Sequence, residues 1–190
     1  MSTVWVRALA DERSLEKALL RWYDLCAQEG DCGGDSTEIR LLTVGRPRDR
    51  RMAGLVEEYL KRLGAGFTVR WDPVAEEPFK KGSEQRALDR EAERILTRLA
   101  AQDFVVLLDV QGHLLDSDAL AQRMDGWRSL GKRLVAVTGG SLGVGEKVRA
   151  RADWAWSLSP LTLPHGLAQV IVAEQLYRAW TILQGHPYHK

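Results

Sequence analysis

The sequence predicts an α/β fold, a mostly parallel sheet with helices on both faces. Three observations predict it. Five short apolar runs, most of them rich in β-branched residues, recur along the chain, and stretches of helical periodicity separate them. Hydrophobic residues make up 45% of the 190, against 28% charged, which is the balance of a chain that buries a core. Strands that alternate with helices build crossover units, and these close into a parallel sheet covered by its own helices.

The first segment stands apart. Residues 1–38 hold four basic and eight acidic residues. Leu15, Leu19, Trp22 and Cys26 fall at helical spacing, so Asp11 to Glu29 is expected as one amphipathic helix, stopped at Gly30. Asp31 to Ser36, with Gly33 and Gly34 inside it, reads as a linker. The expected organisation is an N-terminal extension over 1–38 and a domain over 39–190. In that domain the strands are expected at Ile39–Val44, Phe67–Trp71, Phe104–Asp109, Leu134–Thr138 and Trp154–Leu158. Helices are expected over 49–63, 84–101, 117–131, 145–152 and 165–184. Open sheets of this kind bind ligands beyond the C-terminal strand ends. That rule points to the loops after Asp109, after Thr138 and after Leu158.

Several classes are excluded. The longest apolar run, Phe104 to Leu108, is too short to cross a bilayer, so no membrane is expected as a partner. Arg7, Asp11, Glu12 and Arg13 interrupt the N-terminus before a secretory signal develops. Two cysteines, Cys26 and Cys32, make no disulfide framework, and with no second pair or nearby histidine they make no zinc site. Free thiols fit a reducing cytoplasm. The formal net charge is +1, so nucleic-acid binding needs a local patch. Arg46, Arg48, Arg50 and Arg51, set around Asp49, form the best phosphate-contact candidate. The same residues also fit a solvated face.

The loop after the fourth strand runs from Thr138 to Lys147 and holds Gly139, Gly140, Gly143 and Gly145. Glycines let a backbone approach a ligand and expose its N–H groups. It is no nucleotide phosphate loop, because Glu146 stands where the lysine belongs and no Ser or Thr follows Lys147. It is no dinucleotide loop either, because Val148 stands where the third glycine belongs. It is either a binding element for another ligand or a tight strand-to-helix turn.

Pro160 and Pro164 bar regular structure between Leu158 and His165. The stiff extended run carries Leu158, Leu161 and Leu163, and either lines an adenine ring or serves as a buried connector. Apolar residues cover much of the final helix, among them Leu176, Tyr177 and Trp180, so it lies in a core or against a partner. Glu174 and Arg178 are four apart on it and can pair. The tail from Gly185 to Lys190 adds two histidines, a proline and Tyr188.

These residues carry a resemblance. Leu42-Thr43-Val44-Gly45, Glu58-Tyr59-Leu60, Leu108-Asp109-Val110-Gln111-Gly112 and Gly139-Gly140 belong to it. So do Trp156-Ser157-Leu158-Ser159, Leu161-Thr162-Leu163-Pro164-His165, Ala173-Glu174, Leu176 to Trp180 and His186-Pro187-Tyr188-His189. Residues 39–190 resemble the RlmH family, the small SPOUT-class methyltransferases that act on a pseudouridine of large-subunit ribosomal RNA. The resemblance implies a trefoil knot at the C-terminal end, against the general rule that chains are unknotted. It implies a homodimer, S-adenosylmethionine as methyl donor, no metal, and methylation at N3 on assembled ribosomes. The cofactor is then expected at Leu108, Gly139, Gly140 and the run Leu158, Ser159, Pro160, Leu161, Thr162 and Leu163. Arg178 is expected to stabilise the imide anion, with His165 and His189 as candidate proton acceptors. Tyr188 would hold the base, and Glu174 would orient Arg178. His113 lies outside the matching segments and reads as a solvent-side loop residue. Two features depart from the family: Ser141-Leu142 stands where a Pro-Glu pair is common, and 1–38 has no counterpart. Two rivals remain: a non-catalytic RNA-binding or ribosome-assembly factor on the same fold, and a SPOUT methyltransferase with another RNA substrate.

Overall fold

The computed structural model describes residues 37–64 and 66–189, and of His189 the backbone alone. The helix expected at Asp11 to Glu29, its linker and both cysteines lie outside the described residues. Ser36–Lys190 forms one unit by its internal contacts.

The described elements alternate. Strand β1 (Thr37–Val44) leads to α1 (Arg50–Arg62), β2 (Phe67–Val74) to α2 (Glu84–Leu96), and β3 (Phe104–Leu114) to α3 (Ser117–Arg128). Then follow β4 (Leu134–Thr138), α4 (Glu146–Arg151), β5 (Trp154–Ser157), α5 (His165–Leu183) and a 3-10 turn at Pro187–His189. The strands form one sheet in the order β2-β1-β4-β3-β5, and every pairing is parallel. This is the predicted α/β architecture.

Side-chain alternation along the strands explains why helices cover both faces. Ile39, Leu41, Val106, Leu134 and Ala136 point into one core, with Val56 of α1, Met124 of α3 and Leu176 of α5. Leu42, Val44, Val105, Leu107, Val135 and Val137 point into the other, with Ile95 of α2 and Val148 of α4. Leu176 is 1% exposed, so it serves its own core and not a partner. No helix among the described residues is long and apolar enough to cross a membrane.

Several boundaries differ from expectation, and three of them bear on the fold. β2 continues past Trp71 through Pro73, which pairs with Thr43. As an edge strand, β2 tolerates the missing N–H. α2 ends at Leu96, and Asp103 then takes the Ala100 N–H on its carboxylate at 2.7 Å as the chain turns into β3. β3 does not stop at Asp109. Leu108 and His113 both pair with Trp156, with the residues between them bulged out, and the strand ends at Leu114. Gly112 makes this possible, because a Cβ there would lie 2.7 Å from backbone atoms of Ala155 and Trp156. His113 is therefore a strand residue and not a loop residue. It is exposed, and its ring stacks on Trp154 at 5.3 Å and 8°.

Candidate active site

The strand ends at the carboxyl edge enclose a cavity of about 230 Å³. Its walls are built in five pieces. Leu108, Asp109 and Val110 come from β3 at its bulge, and Thr138 to Ser141 with Gly143 and Val144 come from the glycine loop. Arg149 comes from α4, and Trp156, Leu158, Ser159, Leu161, Thr162 and Leu163 come from the end of β5 and the run beyond it. His165 and Ala168 close it from the start of α5. Most of the cofactor residues expected from sequence thus converge. Pro160 is the exception, being exposed and outside the wall.

Local bonds shape each piece. Gly143 donates its N–H to the Gly140 carbonyl at 3.1 Å and has φ +82°, so the glycine loop is a closed turn. A Cβ on Gly139 would lie 2.3 Å from the Gly143 carbonyl oxygen. Gly139 is therefore required by the loop's own closure, whereas the sequence argument rested on approach to a ligand. The Ser141 hydroxyl donates to Glu76 Oε1 at 2.7 Å and ties the loop to the segment after β2. Beneath the loop lies buried Glu91, which accepts the Glu77 N–H at 2.9 Å. Burial is the main cause that holds the Glu91 pKa above the usual carboxylate range. In the run beyond β5, Ser159 Oγ accepts the Leu161 N–H at 3.0 Å, and Leu161 is left 71% exposed at the cavity mouth.

The arginine cluster lies by the same end of α5. The Gln169 amide donates to the Gly45 carbonyl at 3.3 Å, and a Cβ on Gly166 would meet Pro47 at 3.4 Å. Arg46, Arg48, Arg50 and Arg51 are all exposed, and the side chains of Arg48 and Arg51 are each 89% exposed. The acid among them has a structural reason. Asp49 caps α1 by accepting the Arg51 N–H at 2.9 Å, and its bonds to the Arg51 side chain and backbone hold its pKa low.

Arg178, Glu174 and Tyr188 gather at the other end of α5. Arg178 Nε donates to Glu174 Oε1 at 2.9 Å, and the Arg178 guanidinium sits 5.1 Å from the Tyr188 ring centre. The Tyr188 hydroxyl is 3.5 Å from Glu174 Oε1, and its ring meets Tyr177 edge-on at 4.8 Å. A hydrogen bond with Tyr59, aided by desolvation, pushes the Tyr188 pKa up to about 12, so the phenol is neutral near pH 7. His189 lies in the 3-10 turn, and its side chain is outside the described atoms. Arg178 is thirteen residues beyond His165, a helical span of roughly 20 Å. The structure therefore brings the residues expected at the cofactor, Pro160 excepted, together with His165, but it does not bring His165 together with Arg178 and Tyr188.

A family model described as "Predicted SPOUT methyltransferase" matches residues 37–189. The chain belongs to the SPOUT methyltransferase family. "Ribosomal RNA large subunit methyltransferase H" of Alkalilimnicola ehrlichii is 45% identical to this SPOUT methyltransferase over 153 residues, 80% of this chain and 98% of the relative. The protein of the same name from Desulfitobacterium hafniense is 41% identical over 158 residues, 80% of this chain and 99% of that one. Among solved structures, a probable methylase family protein from Haemophilus influenzae matches at 14% identity and a TM-score of 0.49. It covers 80% of this chain and 70% of that one.

The cavity of this SPOUT methyltransferase fits the family's cofactor, S-adenosylmethionine. Thr138 Oγ1 is buried in the wall with no hydrogen-bond partner among the described residues, a polar atom that a ligand can satisfy. The leucines at 108, 158, 161 and 163 offer an apolar lining for the adenine. Among the described residues no group of three or more His, Cys, Asp or Glu is placed to hold a metal ion. Among the wall residues that the sequence did not single out are its two oppositely charged members, Asp109 and Arg149. Asp109 was visible inside a matching segment, but no pattern joins it to a residue forty positions on.

Proposed function

We propose that this SPOUT methyltransferase transfers a methyl group from S-adenosylmethionine to N3 of a pseudouridine in the large-subunit ribosomal RNA of assembled ribosomes, working in the cytoplasm as a homodimer. The observation that carries the reading is the cavity at the carboxyl edge, where the β3 bulge, the glycine loop after β4 and the run beyond β5 meet. The relatives' names support ribosomal RNA as the substrate and favour an enzyme over a non-catalytic assembly factor. When bound, the cofactor supplies a methyl group already activated on a sulfonium centre.

The protein's task is then mainly positioning. His165, on the cavity wall, takes up the imide proton. Arg178, steadied by Glu174, offers its charge to the imide oxygens. Tyr188, a neutral phenol, holds the base by stacking or by donating a hydrogen bond, and His189 contacts the imide or a phosphate. The span along α5 keeps these groups from meeting His165 within one chain. Two subunits packed around α5 would bring the tail of one to the cavity of the other. Leu161 and Leu167, 71% and 37% exposed at the cavity end, supply apolar surface for that contact. The C-terminal trefoil knot belongs to the same reading. The test is methyl-labelled cofactor offered to assembled ribosomes. Label in large-subunit RNA is expected, and label only in other RNA would overturn the substrate.

Two further outcomes are expected. Replacing Arg46, Arg48, Arg50 and Arg51 with Gln weakens ribosome binding and lowers the log–log salt slope by about 3, with cofactor affinity unchanged. Binding titrations across a salt series check this. An unchanged slope would make the cluster a solvated face. A chain beginning at Ser36 methylates ribosomes at a rate similar to the full chain, since 1–38 lies almost wholly outside the family match. A folded chain of that length without activity would give the extension a catalytic part.

A further inference from the structure

Two charged side chains of opposite sign, Asp109 and Arg149, stand in the wall of an otherwise largely apolar cavity. The Asp109 side chain is 4% exposed. One of its oxygens accepts the Gln111 N–H at 3.0 Å and so shapes the β3 bulge. The other, Oδ2, is buried and meets the guanidinium of Arg149. Arg149 sits in the last turn of the short helix α4 and is 38% exposed, so its head reaches both the cavity and solvent. An ion pair with one buried and one exposed partner gives a fold little stability. Its place in a ligand wall calls for a ligand that uses both charges.

We propose that Asp109 and Arg149 form a subsite for the amino-acid end of the cofactor, with the Asp109 carboxylate receiving the α-ammonium and the Arg149 guanidinium the α-carboxylate. This rests on the cofactor reading above. The charge count selects that end. The α-amino acid carries one charge of each sign, as the pair does. The adenosine end carries none and suits the leucine run. The sulfonium carries a single positive charge, and would leave Arg149 without a role in the wall. The wall atoms are already paired with each other, so each needs only to turn from its neighbour to the ligand, and neither charge is left alone in either state.

The test is calorimetry on the purified full chain with three probes. They are S-adenosylmethionine, S-adenosylhomocysteine, which keeps the amino-acid end without the sulfonium, and methylthioadenosine, which lacks the amino-acid end. Asp109→Asn keeps an acceptor for the Gln111 N–H, and Arg149→Met changes a partly exposed helix end. Each is expected to weaken the first two probes by about tenfold or more while leaving methylthioadenosine unchanged. Arg149→Lys should restore much of the loss. Equal loss for all three probes in a folded variant would make the pair a shaper of the wall and overturn the subsite. Loss for S-adenosylmethionine alone would assign the pair to the sulfonium and overturn it too. A wild-type chain that binds none of the probes would overturn the cofactor reading itself, and the subsite with it.

Discussion

Deleting His186 to Lys190 removes methyl transfer and leaves cofactor binding nearly unchanged. The tail packs on its own helix end, where Tyr188 meets Tyr177 at 4.8 Å and His186 stacks on Trp180 at 5.5 Å. None of these residues touches the cavity of the same chain. A group used in the transition state but not in holding cofactor lowers turnover without lowering cofactor affinity. The loss expected in single-turnover rate is about a hundredfold or more. Sedimentation should show the deleted chain still at twice its own monomer mass, because the proposed dimer contact lies at the cavity end of α5. Mixed dimers decide whether the tail acts across the interface. One subunit carries the deletion and the other Gly139→Val. A tail that serves its partner leaves one complete site, and up to half of the wild-type rate returns. A tail that serves its own chain leaves none, and the rate stays near zero.

Gly139→Val alone abolishes cofactor binding. The new Cβ would lie 2.3 Å from the Gly143 carbonyl oxygen and 2.5 Å from its carbon, both backbone atoms that cannot swing aside. The turn closed by the Gly143 N–H to Gly140 carbonyl bond must open, and Gly143 already uses a φ of +82° that few other residues adopt. The strand behind it is fully buried, so the sheet survives while the loop does not. Calorimetry should show affinity lower by more than about tenfold in a chain whose circular dichroism is unchanged. A folded variant with wild-type affinity would show that the loop does not hold the cofactor.

Much of this is legible in the amino-acid sequence alone. The run Leu134–Thr138 is a strand residue for residue, because five consecutive buried residues between polar breaks leave no other period. Two of the loops selected by the strand-end rule, after Thr138 and after Leu158, line the cavity, while the stretch expected as a loop after Asp109 is a bulge within β3 that reaches the same wall. What stays hidden is set by tertiary contacts. Pro73 reads as a strand breaker because its place on the sheet edge is not a local property. Gly112 reads as a loop residue because the β5 backbone that presses on it is distant in sequence. The Ser141-Leu142 departure leaves the loop shape open to sequence reasoning, and a hydrogen bond to Glu76, sixty-five residues away, accounts for it. Periodicity alone leaves Leu176 either in a core or against a partner, and the α1 and α3 helices that flank α5 bury it at home. The pairing of Asp109 with Arg149 has no sequence signature at all.

The most direct test of the account is mass spectrometry of nucleosides from large-subunit ribosomal RNA of a strain lacking this chain, compared with its parent. Loss of one methyl group from a single pseudouridine, carried on N3, is expected, with its return when the intact gene is restored but not when the tail-deleted form is. An unchanged set of methylated pseudouridines would contradict it.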